Sequence, residues 1–195
     1  VFRAYYFPEG YVRTSSKKYN LKTLHDREIH LTNDAIQKKS KLYGKHENGN
    51  KLSYAELEEV ISETCSRNQT QNQNQDQPND IPRENIFHTH VLPQIKQQIV
   101  HSIKSTREKL SSSMIKHSFE LLGYDFMVDS SFKSYLIEIN SNPCLEFSCP
   151  MLETLISSVV EGVFQVAVDE IYPPPKHRSR TNEPTNESEL ICGNK

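Results

Sequence analysis

Two carboxylates and an amide, Asp125, Glu138 and Asn140, stand in the stretch GYDFMVDSSFKSYLIEINSN, Gly123 to Asn142, at a spacing suited to holding a metal ion. Runs rich in Phe, Val, Tyr and Ile flank the polar group Asp129 to Lys133, the pattern of two strands joined by a short turn. A turn centred on Ser131 and Phe132 sets 129 against 134, 127 against 136 and 125 against 138, so Asp125 faces Glu138 across the hairpin. Side chains alternate along a strand, and Asn140, two residues beyond Glu138, joins them on the same face. Like charges placed opposite each other destabilise a sheet, and a cation offsets that repulsion. Oxygen ligands from two carboxylates and an amide suit Mg²⁺, which keeps several waters and binds nucleotide phosphates as well. The alternative for the same residues is a solvated hairpin face.

The elements around this hairpin must hold it in place. Its other face, Phe126, Val128, Tyr135, Ile137 and Ile139, is apolar and is expected against a core. Val1 to Phe7 and Tyr11 to Ser15 read as two strands around the turn Pro8-Glu9-Gly10, a second hairpin. Glu28 to Gln37 is a short structured run, with Thr32 and Asn33 in its middle. Ser53 caps a helix from Tyr54 to about Glu63, with Glu56 at the capping-box position. Ser66 to Asp80 offers no apolar side chain whose burial would offset the entropy of ordering, so it reads as a disordered low-complexity insertion. Val91, Leu92, Ile95, Ile99 and Ile103 form one stripe on a long helix, with Pro93 in its first turn or at a kink. A last helix, about Pro150 to Tyr172, has so wide an apolar arc that it is expected to be a buried core helix. The division that follows is a domain over 1–175, with the insertion at 66–80, and a disordered basic and polar tail over 176–195.

A chain of 195 residues with 35% apolar residues and a net charge of −2 has an ordinary globular composition. From Gly10 to Lys51 there are ten Lys or Arg against four acids, and from His117 to Tyr172 nine acids against Lys133 alone. That asymmetry suits a basic part facing phosphates or an acidic partner and an acidic part holding metal. Cys65, Cys144, Cys149 and Cys192 lack CxxC spacing and the density of a disulfide scaffold, so reduced thiols and a cytoplasmic setting are expected. No apolar run reaches the length of a membrane span, and neither membrane nor nucleic acid is expected as a partner. The start at Val1, without methionine, predicts further chain upstream.

The motifs PEGYVRTSS, HLTN at His30 to Asn33, YGK at Tyr43 to Lys45, GYDFMVD at Gly123 to Asp129 and LIEINSNPCLE at Leu136 to Glu146 occur in one order, and by them the chain resembles the C-terminal part of the tubulin tyrosine ligase-like family. The resemblance implies an α/β fold of the α+β type, the C-terminal part of an ATP-grasp-like domain with antiparallel hairpins packed on helices. It implies ATP and Mg²⁺ as cofactors, with the metal on Asp125, Glu138 and Asn140. It implies nucleotide contacts, and a catalytic role, for Arg13 in VRTSS, and further nucleotide contacts for Thr32 and Asn33 in HLTN. A guanidinium presents a planar fork to phosphate oxygens, and hydroxyl and amide groups hydrogen-bond ribose or phosphate. Taken alone, Arg13 is equally a strand-edge charge, and Thr32 and Asn33 cap a turn. The family transfers the γ-phosphate of ATP to a carboxylate, and the acylphosphate is attacked by an amine. In the family the acceptor is tubulin, commonly its acidic C-terminal tail, and the donor is free tyrosine, glutamate or glycine, which points to microtubules, the cytoskeleton and the cilium. The family's other ATP wall is missing from these residues, so they read as a fragment. Two alternatives stay open: a non-catalytic tubulin-binding module, and a ligase acting on another protein carboxylate.

Overall fold

The computed structural model describes residues 2–71, 85–112, 117–173 and 189–193. In chain order these form strand β1 (Arg3–Tyr6), β2 (Tyr11–Arg13), one-turn helices α1 (Arg27–His30) and α2 (Asp34–Gln37), β3 (Lys51–Ser53), α3 (Tyr54–Gln71), a π turn (Phe87–Val91) running into α4 (Leu92–Ser112), the hairpin strands β4 (Gly123–Val128) and β5 (Ser134–Asn140), α5 (Pro150–Ala167) and β6 (Glu189–Gly193). The strands make three antiparallel pairs, β1 with β6, β2 with β3 and β4 with β5. This is an α+β architecture, as expected.

The main core forms on α4. Val91, Ile95, Ile99 and Ile103 are buried four residues apart, with Tyr6, Phe87 and Cys192 against them. Pro93 is the second residue of α4, directly after the π turn in one continuous helical run, and the π turn is the local irregularity at which the helix takes in a residue without an N–H. Helix α3 starts at the expected capping box: Ser53 N–H donates to Glu56 Oε2 at 2.7 Å and Glu56 N–H donates to Ser53 Oγ at 3.2 Å.

Helix α4 also sets the hairpin in place through two glutamines. Gln94 Nε2 donates to Phe132 O and Gln98 Nε2 to Ser134 O, each at 3.0 Å, while Ser134 N–H and Leu136 N–H donate back to Gln94 Oε1 and Gln98 Oε1. Four residues of helix rise about 6 Å and two residues of strand about 6.6 Å, so side chains at i and i+4 match alternate residues of a strand edge. The helix thereby serves as the next strand would.

Several expectations are corrected. β1 and β2 do not pair as a hairpin: Tyr54 closes over Gly10, Pro8 offers no N–H, and β2 instead pairs with β3, Arg13 opposite Lys51. Helix α3 runs on to Gln71, so 66–71 of the expected disordered insertion are helical. Helix backbone satisfies its own hydrogen bonds, and each residue added to a helix already started gains a bond without a new nucleation cost. The rest of that insertion lies outside the described residues. Of the tail expected to be disordered, Glu189–Gly193 forms β6, because β1 has an open edge and Ile191 and Cys192 pack on the core; Lys96 Nζ holds Glu189 at 2.6 Å. Residues 174–188, 194 and 195 lie outside the described set. α5 is less buried than a core helix, since Leu152 and Ile156 are covered while Leu155, Val159 and Val163 line an open cleft and Phe164 is exposed.

In the hairpin, Asp125 is the Cα partner of Glu138, as derived. Beyond that pair the register moves by one: Phe126 pairs with Leu136 and Met127 with Tyr135, leaving Ile137 as a bulge with no cross-strand partner. The bulge changes the expected apolar face on the turn side of Asp125, where Tyr135 now shares a face with Met127 and Leu136 one with Phe126. Tyr124 and Phe126 turn to the core, stacked 12° from parallel, and Val128, Tyr135, Ile137 and Ile139 are exposed, Ile137 by 57%. Gly123, opposite Asn140, has no side chain because a Cβ there would meet Pro143 Cβ at 2.9 Å.

The turn is organised by Asp129. Its Oδ1 accepts from Ser131 N–H, Ser131 Oγ and Lys133 N–H, and its Oδ2 from Tyr135 Oη. These bonds, led by the Ser131 hydroxyl, hold its carboxyl down to about 2. A depressed carboxylate contributes stability above its unfolded pKa, about 3.9, that is lost as pH falls through the folded value. Acid titration of thermal stability is therefore expected to show a loss between about pH 4 and pH 2 in the native chain that is diminished in Asp129→Ala; equal slopes in the two would show that the turn does not depend on the charge.

Candidate functional site

β2 ends beside the hairpin and brings Arg13 to it. Arg13 Nη2 donates to Asp125 Oδ1 at 2.9 Å, with both side chains about a third exposed. Asn140 Nδ2 donates to Asp125 Oδ2 at 3.3 Å and to Glu138 Oε1 at 3.2 Å. Four of the six residues singled out in the sequence therefore meet in one cluster, at the edge of a cleft of about 1080 Å³ also lined by Tyr11 and Cys144.

The electrostatics divide the two acids. Burial raises the Asp125 carboxyl above its ordinary value, Arg13 acts against this, and the hydrogen bond shared with Glu138 adds to the rise. Glu138, exposed, is held below its ordinary value, first by the amide of Asn140 and then by Asp125. The two acids are thus shifted in opposite directions, as carboxylates that share one site are.

Thr32 and Asn33 stand apart from this cluster. Neither lines the cleft, and the Asn33 side chain makes no cap bond to α2, although its backbone carbonyl accepts from Ile36 and Gln37. The link between loop and cluster is indirect. Asp34, the next residue, accepts from Lys51 Nζ at 2.8 Å, and Lys51 is the cross-strand partner of Arg13. The Lys51 side chain is only 4% exposed and also donates to Gly49 O at 2.9 Å. Burial raises Asp34, but its bonds to Lys51 and Lys38 outweigh this and leave its carboxyl below the usual range. Sequence reasoning missed Lys51: a lysine in a basic loop reads as solvated, and only the pairing of β3 with β2 turns it inward.

Comparison with known proteins accounts for the ordered motifs. The model of the tubulin-tyrosine ligase family matches residues 1–181. The chain belongs to the tubulin-tyrosine ligase family. Among relatives of this family, tubulin glycylase 3B of Tetrahymena thermophila is 31% identical over 97% of the chain, and tubulin glycylase 3D of the same organism 36% over 85%. The human protein monoglycylase TTLL8 is 33% identical over 85% of the chain. The chain spans 14% of the length of each Tetrahymena protein and 18% of the human one. Among the described residues, no helix is long and apolar enough to cross a membrane.

The Lys51–Asp34 pair is asymmetric, which gives a test of its role. Asp34 is about a third exposed and keeps Lys38 when Lys51 is removed, whereas Lys51 without Asp34 is a buried ammonium left with one carbonyl. Chemical denaturation is expected to find Asp34→Ala destabilising by about 3 kcal/mol and Lys51→Met by about 1 kcal/mol. The opposite order would mean that solvent reaches Lys51.

Proposed function

We propose that the full protein is an ATP-dependent carboxylate–amine ligase that adds an amino acid to tubulin, with glycine the favoured donor over glutamate and tyrosine. The observation that carries the reading is the convergence of Arg13, Asp125, Glu138 and Asn140 on the edge of one cleft, in a chain of this family. The glycylase names of the relatives above support the choice of glycine.

The residues fit a divalent cation. Two carboxylates face each other beside an amide, and a guanidinium has been drawn onto one of them, which marks the place as one that needs positive charge. Asp125, Glu138 and Asn140 would hold Mg²⁺, Asn140 turning its amide oxygen inward. Bound there, the ion would supply positive charge that offsets the charge developing in phosphoryl transfer. Arg13 then leaves Asp125 and offers its fork to the phosphates, a charged contact suited to the γ-phosphoryl group. Thr32 and Asn33, which do not line the cleft, would contact the nucleotide only where it extends beyond it. The transferred phosphoryl group makes an acylphosphate on the acceptor carboxylate, and attack by the amine of the amino acid releases phosphate and leaves an amide. The exposed lysines of the Arg13–Lys51 stretch attract the acidic tubulin tail, and the protein works on microtubules in the cytoplasm.

In this reading Arg13 and the cation compete for Asp125. Calorimetric titration of the full-length protein with Mn²⁺ and no nucleotide is expected to show Arg13→Gln binding about tenfold more tightly than the native protein, a gain of about 1.4 kcal/mol, and Asp125→Asn not binding at all. Unchanged affinity in Arg13→Gln would rule out the competition. The activity itself is tested by incubating the full-length protein with ATP, purified tubulin and labelled glycine, glutamate or tyrosine in turn. Label is expected on tubulin with glycine, and none with Glu138→Gln; full turnover in Glu138→Gln removes the acidic pair from the mechanism.

A further inference from the structure

The motifs VRTSS, HLTN and YGK are separate in the chain, yet one pair of buried amides ties them together. Gln37, fully buried at the end of α2, accepts Ser16 N–H on Oε1 at 2.7 Å and donates from Nε2 to Glu28 O at 3.1 Å and Leu31 O at 2.6 Å. Its backbone N–H donates to Asn33 O at 3.0 Å. The carbonyls before and after Thr32 are therefore both held by one residue. Asn50, 4% exposed, donates from Nδ2 to Ser16 Oγ at 2.8 Å, Thr14 O at 3.3 Å and Gln37 Oε1 at 3.4 Å, and accepts Gly44 N–H on Oδ1 at 2.7 Å. Its φ of +54° is one that Asn tolerates better than most residues, and it is what lets the side chain turn back between the two loops.

We infer that Gln37 and Asn50 are positioning residues that set the Thr32–Asn33 loop at a fixed distance from Arg13, so that both reach one nucleotide. The inference rests on the nucleotide-binding reading above. Apart from the bond to Glu28 O and the one between the two amides, their hydrogen bonds go to motif backbone or hydroxyls, and neither side chain reaches the cleft. A core that needed only to be filled would be served by Leu and Met, without the risk of unpaired polar groups. A fully bonded amide pair instead specifies one relative placement of two loops. YGK, which has no group in the acidic cluster, acquires a role here: the Gly44 amide fixes the Asn50 acceptor and so the rotamer of its donor.

The test is a double-mutant cycle on the full-length protein, read by direct binding of a fluorescent ATP analogue with Mg²⁺ and checked for folding by thermal melting. Thr32→Ala in the native background is expected to weaken binding about tenfold, the loss of one hydrogen bond of about 1.4 kcal/mol, and Gln37→Met by at least as much. In the Gln37→Met background Thr32→Ala is expected to cost less than twofold, because the loop is already displaced. Additive effects, or native affinity in a folded Gln37→Met, overturn the inference while leaving the nucleotide reading intact; no binding by the native protein, or no effect of Thr32→Ala there, overturns the reading and the inference with it. Should Gln37→Met not fold, Gln37→Glu keeps the acceptor for Ser16 and loses the amide donors to Glu28 and Leu31, and carries the same cycle.

Discussion

Two carboxylates set opposite each other on a strand pair need a positive charge close by, and much of this molecule is arranged to supply it. Asp125 and Glu138 face each other because the ladder between β4 and β5 pairs their Cα positions. Arg13 reaches them because β2 pairs with β3 and not with β1, which swings the end of β2 toward the hairpin. The burial that raises Asp125 is the burial that makes its guanidinium partner valuable, since charge attraction strengthens as water is removed. The same field is what a divalent cation would exploit.

The hairpin keeps its place by an unusual device. Gln94 and Gln98 on α4 bond the free edge of β5 as a strand would, and the match between four residues of helix and two of strand makes the two sets of bonds compatible. Amides on a helix satisfy the edge groups without adding an edge of their own. The consequence is that Tyr124 and Phe126 are pressed onto the α4 stripe, while Ile137 in the bulge and Ile139 beyond it stay exposed.

Buried polar groups recur wherever a loop must be held at a set distance. Gln37 and Asn50 join three motif loops, Lys51 anchors Asp34, and Glu58 accepts the Phe87 amide at 2.8 Å at the entry to α4. Each costs desolvation, and each is repaid only by specific partners, which is why such groups define placement where apolar contacts would tolerate sliding.

What the sequence determined by itself is local or carried by motif. The capping box at Ser53 and Glu56 and the α4 stripe follow from periodicity, because they involve residues close in the chain. The Asp125–Glu138 pairing is expected from a turn that sets 129 against 134, whereas the chain sets Val128 against Ser134 and the bulge at Ile137 restores the pair. The family was legible in five ordered motifs. Tertiary structure decided the rest, and each case has a cause that no local pattern encodes. β1 chose β6 over β2 because an open edge took the apolar strand available to it, though Glu189–Gly193 sits in a polar tail. The bulge at Ile137 moved Tyr135 off the apolar face and brought Leu136 opposite Phe126, since one extra residue flips the alternation on which the reading depended. Lys51 became buried, and Gln37 and Asn50 became shared anchors, only through pairings across more than ten residues of chain. Sequence spacing specifies which groups share a strand or helix face; which face is covered, and by what, is decided when distant elements meet.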